Sequence, residues 1–115
     1  MAKYKNMELE NSPINQINTQ TGTTYTLVLA DMIVEMNNAS ANTLTIPTNA
    51  SVAFPIGTTI TVVQYGAGVT TVTGATGVTV NGVSAGGVAA SAQYAGFALY
   101  KRGTDEWIAV NLVTA

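Results

Sequence analysis

The sequence contains no cysteine and no histidine. The absence of cysteine excludes disulfides, thiolate nucleophiles and cysteine-ligated metals. Without histidine the chain also lacks the commonest general base and the commonest ligand of transition metals. We therefore expect a protein that is not an enzyme and that needs no cofactor and no metal.

Charge is scarce as well. Charged residues make up 9% of the chain, whereas a typical globular protein has about a quarter. The formal net charge of −2 gives no basis for attraction to nucleic acid or to an anionic membrane. No apolar run approaches the length that spans a bilayer, and "MAKYKNMELEN" has no apolar signal-peptide region. These features predict a protein that is made in a cytoplasm and whose uncharged surface lies against other protein.

The few acidic residues form no recognisable catalytic or metal motif. Asp105 and Glu106 are adjacent, so on a strand their side chains would point to opposite faces. Asp31 and Glu35 have no other acidic residue close in sequence to complete a site for a hard cation. The sequence thus predicts no catalytic and no metal-binding residues.

Residues 1–22 differ from the rest of the chain. This segment is rich in Asn and Gln, is broken by Pro13, and has too little apolar surface to fold alone. It nevertheless carries apolar residues that would be unusual in a purely solvated tail: Tyr4, Met7, Leu9, Ile14 and Ile17. We interpret it as an extended N-terminal arm that binds a partner through these residues, in front of a β domain at 23–115.

Alternating β-branched and apolar residues dominate from residue 23 onward. Runs such as "IVEM", "TLTI" and "TTITVVQY" predict about eight short strands separated by turns every six to ten residues. The fold class is therefore all-β, as a small antiparallel β-sandwich or barrel. Asn81-Gly82 lies between two alternating runs, which is a strong signal for a tight hairpin turn at these two residues.

Large apolar and aromatic residues supply the predicted core, which consists of Tyr25, Leu27, Leu29, Ile33, Leu44, Ile46, Phe54, Ile60, Val62, Leu99 and Trp107. Aromatic residues of the C-terminal half allow three interpretations: core, a subunit interface, or a platform on which a sugar stacks. The candidates for the two surface roles are Tyr65, Tyr94, Tyr100 and Trp107.

Three segments carry a resemblance to a known family. "YTLVLAD", "VEMNNASANTLTIPTNASVAFPIGTTITVVQYGAG" and "YKRGTDEWIAV" together resemble a small β module of tailed-bacteriophage virion proteins, over about residues 23–110. The resemblance implies a virion surface or attachment element, often trimeric, with no catalytic residues.

Two functions follow from this resemblance. The first is a capsid decoration (cement) protein on the outer surface of the phage head. It would be a homotrimer whose arm contacts the major capsid protein. The alternative is a tail-fibre or tail-tip module that recognises a glycan of the host surface. Here the module stands behind a short arm instead of a long shaft, and we therefore expect the first function.

Overall fold

The structure is a computed structural model, and it describes residues 16–112. These residues form eleven strands and no helix, so the all-β prediction is confirmed. The strands are β1 (Ile17–Gln20), β2 (Thr24–Thr26), β3 (Ile33–Met36), β4 (Asn42–Ile46), β5 (Thr59–Gln64), β6 (Thr70–Gly74), β7 (Thr79–Val80), β8 (Val83–Ser84), β9 (Gly87–Ala89), β10 (Gly96–Gly103) and β11 (Glu106–Leu112). The predicted number of about eight was too low.

The strands form two sheets that are consistent with a sandwich-like fold. The large sheet has the order β1-β3-β5-β10-β11-β7-β8, and the small sheet has the order β2-β4-β6-β9. Both sheets are mixed, which corrects the prediction of antiparallel sheets: β1, β3 and β5 are parallel to one another, as are β2, β4 and β6.

The first six strands wind as a coil, because successive strands alternate between the two sheets. Parallel neighbours need a crossover connection, and here the intervening strand of the opposite sheet supplies it. Residues 17–20, which the sequence placed in the arm, form the first strand of this coil. The rest of the predicted arm, residues 1–15, lies outside the described residues.

The remaining strands complete the two sheets mainly through antiparallel pairs, whereas β7 is parallel to β11. β10 pairs with both β5 and β11, and β9 pairs with β6. β7 and β8 form a hairpin whose two loop residues are Asn81 and Gly82, with φ angles of 51° and 83°. Positive φ at both positions is the geometry of a type I′ turn, so the prediction of a tight turn is confirmed.

The turns on one side of the coil stack closely. In turn 65–69, the amide of Gly68 donates a 2.9 Å hydrogen bond to the carbonyl of Asn38 in turn 37–41. A Cβ atom at position 68 would lie 2.0 Å from the carbonyl oxygen of Ser40. Glycine is therefore required here by close backbone approach.

The core lies between the two sheets. Eight predicted core residues are buried: Leu27, Leu44, Ile46, Phe54, Ile60, Val62, Leu99 and Trp107. Tyr25 and Ile33 are half-buried, and Leu29 is exposed because β2 already ends at Thr26. The sequence reasoning missed several buried residues, namely Val34, Met36, Val72, Val78, Val80 and Phe97.

Candidate interaction surfaces

The outer surface of the large sheet carries many apolar side chains among polar ones. Side chains alternate along each strand, and those that point away from the core include Ile17, Ile33, Val63, Ala98, Tyr100, Ile108, Val110 and Leu112. We call this set the apolar face. A typical exposed sheet surface would carry polar and charged side chains at these positions.

The strand registers align part of the apolar face into a row. Ile17 lies beside Ile33 and Ile33 beside Thr61, and the row continues through Ala98 to Val110. It crosses five strands spaced about 4.8 Å apart, so it is about 19 Å long. The row is apolar except for Thr61 at its centre, and an apolar surface patch of this kind is typical of a site that contacts another protein.

Little charge interrupts this surface. Glu35 points outward from β3, and its Oε1 accepts a 2.9 Å hydrogen bond from the hydroxyl of Thr19. Arg102 and Glu106 form an exposed 3.1 Å ion pair at the end of the β10–β11 hairpin. The two charges of that pair offset each other, whereas Glu35 has no ion-pair partner among the described residues.

The outer surface of the small sheet has a different chemistry. Three strands each present two outward threonines, and the registers align them as Thr24–Thr43–Thr71 and Thr26–Thr45–Thr73. We call this array the threonine face. The sequence carries its signal as the tripeptides "TYT", "TLT" and "TVT", which the sequence analysis did not recognise as a repeat.

The four candidate surface aromatics lie in three different places. Tyr65 and Tyr94 form an edge-to-face pair with ring centroids 5.7 Å apart, and both rings are exposed. Tyr100 lies on the apolar face. Trp107 is buried against Phe54, with centroids 5.5 Å apart, so its ring is not available to a surface ligand.

The backbone holds the tyrosine pair in position. Tyr94 has a φ angle of 70°, which is uncommon for a residue with a side chain. Its amide donates to the carbonyl of Gln64, and the Gln93 side-chain amide donates a 3.1 Å hydrogen bond to the carbonyl of Tyr65. These bonds fix both segments that carry the rings.

A polar network joins β1, β2 and the loop after β2. The Asn18 side-chain amide donates to the Tyr25 hydroxyl at 2.8 Å and to Oδ1 of Asp31 at 2.9 Å. The Tyr25 hydroxyl donates to Oδ2 of Asp31 at 2.7 Å, and Gln20 donates to Oδ1 of Asn18 at 2.8 Å. Burial of the ring and the adjacent Asp31 carboxylate raise the pKa of Tyr25 to about 12. A neutral phenol is therefore part of the network at neutral pH.

A second buried polar group lies under loop 47–58. Lys101 is 2% exposed, and its Nζ donates to Oδ1 of Asn49 at 2.6 Å and to the carbonyl of Phe54 at 2.7 Å. Asp105 accepts a 2.7 Å hydrogen bond from the amide of Asn49. Together these groups attach the loop to the β10–β11 hairpin, which is a structural role that the sequence did not suggest.

Neither a group of metal-ligating side chains nor a membrane-spanning helix is present in the part of the chain that the structure describes. Among residues 16–112 no group of three or more acidic side chains could hold a metal ion. The same part of the chain contains no helix long and apolar enough to cross a membrane. Of the predicted arm contacts, Ile17 lies on β1 and is 57% exposed, whereas Tyr4, Met7, Leu9 and Ile14 lie outside the described residues.

Comparison of the chain with protein-family models, with curated proteins and with solved structures gave no match. Any functional assignment must therefore rest on the surfaces described above and on the sequence itself.

Proposed function

We propose that the protein is a bacteriophage capsid decoration protein that binds the outer surface of the head as a homotrimer. The proposal starts from the resemblance of residues 23–110 to a virion β module. The observation that supports it best is the apolar face, because it offers a broad, nearly uncharged surface for contact with other protein.

Self-association would cover the apolar face. A chain with only 9% charged residues has few charges to keep exposed apolar surfaces apart. Closed rotational symmetry removes such surfaces from water without leading to filaments. Many weak contacts repeated by symmetry would then stabilise a shell without any active site.

The trimer can be tested with one pair of variants. Val110→Glu places a charge on the apolar face, where Val110 is 47% exposed, and should convert the oligomer to a monomer in sedimentation velocity. Thr26→Glu places the same charge on the threonine face and should leave the oligomer intact. A wild-type protein that is a monomer at micromolar concentration would exclude the trimer.

Capsid binding can be tested separately through the arm. Because β1 begins at Ile17, the deletion should end at Asn15 so that the coil remains whole. The truncated protein should stay a folded oligomer and should no longer bind heads that lack the protein. Wild-type occupancy on such heads, measured by electron microscopy, would show that the arm does not carry the contact.

The exposed tyrosine pair supports a second candidate, recognition of a host-surface glycan. Tyr65 and Tyr94 present rings beside the polar side chain of Gln93, and sugars bind to such combinations of stacking and hydrogen bonding. Binding to a glycan array that is lost in Tyr94→Ala and retained in Tyr100→Ala would favour this function over decoration.

A further inference from the structure

A cavity of about 200 Å³ opens at the end of the coil formed by β1 and the loop after β2. Its apolar lining includes Ile17, Val28 and Met32, each of which is more than a third exposed. Asp31 is the ionisable residue of its lining and is 7% exposed. The cavity thus combines apolar walls with one nearly buried carboxylate.

Within residues 16–112 no cationic side chain pairs with Asp31, because the ion pair in this part of the chain joins Arg102 to Glu106. Buried carboxylates are normally paired with a cation, because their desolvation is costly. Three neutral donors reach Asp31, namely the side chains of Asn18 and Tyr25 and the amide of Val28. They stabilise the carboxylate but do not neutralise it.

The arrangement of these donors decides which cation fits. Oδ2 accepts two of the hydrogen bonds and Oδ1 accepts one, so about one acceptor position remains, on Oδ1. A guanidinium group binds a carboxylate best through two parallel hydrogen bonds, one to each oxygen. An ammonium group is a compact donor that needs only one acceptor oxygen. The geometry therefore favours lysine over arginine.

The walls fit the remainder of a lysine side chain. Its four-carbon stem is apolar and commonly lies along apolar surface while the charged end finds a polar partner. Ile17, Val28 and Met32 provide such a surface at the cavity, next to the carboxylate. We propose that this cavity binds a lysine side chain, with the stem against these three residues and the ammonium group on Oδ1 of Asp31.

The lysine could come from another protein or from Lys3 or Lys5 of this chain, which lie outside the described residues. The proposal does not depend on the capsid function. The probe is Nα-acetyl-lysine methylamide, titrated into the full chain and into a Lys3→Gln/Lys5→Gln variant, with nuclear magnetic resonance shifts of the Met32 methyl group as the readout. The arginine analogue of the probe is the matched control.

We expect saturable binding of the lysine probe and at least tenfold weaker binding of the arginine analogue. Binding to wild type indicates a lysine from a partner, whereas binding only to the double variant indicates that the chain's own lysine occupies the cavity. Asp31→Asn should weaken binding at least tenfold. Val28→Ser changes an exposed side chain of the wall and keeps the backbone amide that donates to Asp31, and it should weaken binding about threefold while circular dichroism stays unchanged. Absence of binding in wild type and in the double variant, or equal binding of both probes, would overturn the proposal.

Discussion

Replacing Lys101 with methionine should destabilise the protein, although a buried charge is removed. The Nζ atom of Lys101 supplies the donors for two acceptors, Oδ1 of Asn49 and the carbonyl of Phe54, at 2.6 and 2.7 Å. Methionine keeps most of the apolar stem, so the loss of packing is small. Its thioether cannot donate, so both acceptors lose this donor.

The expected change in the free energy of unfolding of Lys101→Met follows from two opposing contributions. Hydrogen bonds to a charged group contribute about 1.5–3 kcal/mol each, so the loss of two amounts to about 3–6 kcal/mol. The ammonium group no longer has to be desolvated, which offsets part of this loss. Removing one partner of a buried polar contact is nevertheless costly, because the other partner stays buried without its hydrogen bond. We expect a net loss of about 2–4 kcal/mol in the free energy of unfolding.

Urea unfolding of matched variants tests this value. With an m-value of about 2 kcal/mol/M, Lys101→Met should lower the midpoint by about 1–2 M at unchanged m. Arg102→Met is the control: its ion pair with Glu106 is exposed, and removing it should cost less than about 1 kcal/mol. If the free energy of unfolding of Lys101→Met lies within about half a kcal/mol of the wild-type value, loop 47–58 is not held by these two hydrogen bonds.

Three further predictions concern the coil and the β7–β8 hairpin. The pKa of Tyr25 is raised from 10.0 to about 12, so the neutral phenol favours the folded state; this stabilisation is present below pH 10 and is lost as the pH rises through 12. Ultraviolet titration should show a tyrosine that ionises near pH 12, and Tyr25→Phe should remove this ionisation; its absence from the wild-type protein would contradict the network. Asn81→Ala removes the two hydrogen bonds between the Asn81 side chain and the backbone of Ala109 and places alanine at a positive φ, so it should cost about 1–3 kcal/mol in urea unfolding; an unchanged midpoint would contradict both contributions. Gly68→Ala would bring a Cβ atom to 2.0 Å from the carbonyl oxygen of Ser40, so we expect about 1–3 kcal/mol of destabilisation, and a stable variant would show that the stacked turns can separate.

Local sequence patterns predicted most of the strands well. "IVEM" corresponds residue for residue to β3, and "TLTI" forms β4 with one additional residue, because alternating β-branched residues fit a half-buried pleated surface. Asn81-Gly82 was equally informative, since both residues tolerate the positive φ that this turn requires. These successes depend on interactions between residues close in sequence.

Pairing between distant strands could not be predicted in the same way. A short strand carries no local mark of whether its neighbour is parallel, so the coil was missed. β1 was missed because its inward residues are the polar Asn18 and Gln20, and the hydrogen bond that joins them is visible only in the folded chain. The role of Asp31 was also missed, because its cavity forms only when β1 and the loop after β2 come together in the folded chain.

The two sides of the coil differ in how freely the chain can change length. Where turns 37–41 and 65–69 stack, Gly68 already brings one backbone against the next, so an added residue would separate the strands on either side. On the opposite side, loop 27–32 occupies the same position in the coil as loop 47–58, which is twice as long. Insertions and foreign peptide tags should therefore be rejected near Ala67. The opposite side already accommodates connections of different length, so length variation during evolution would accumulate along that side of the molecule.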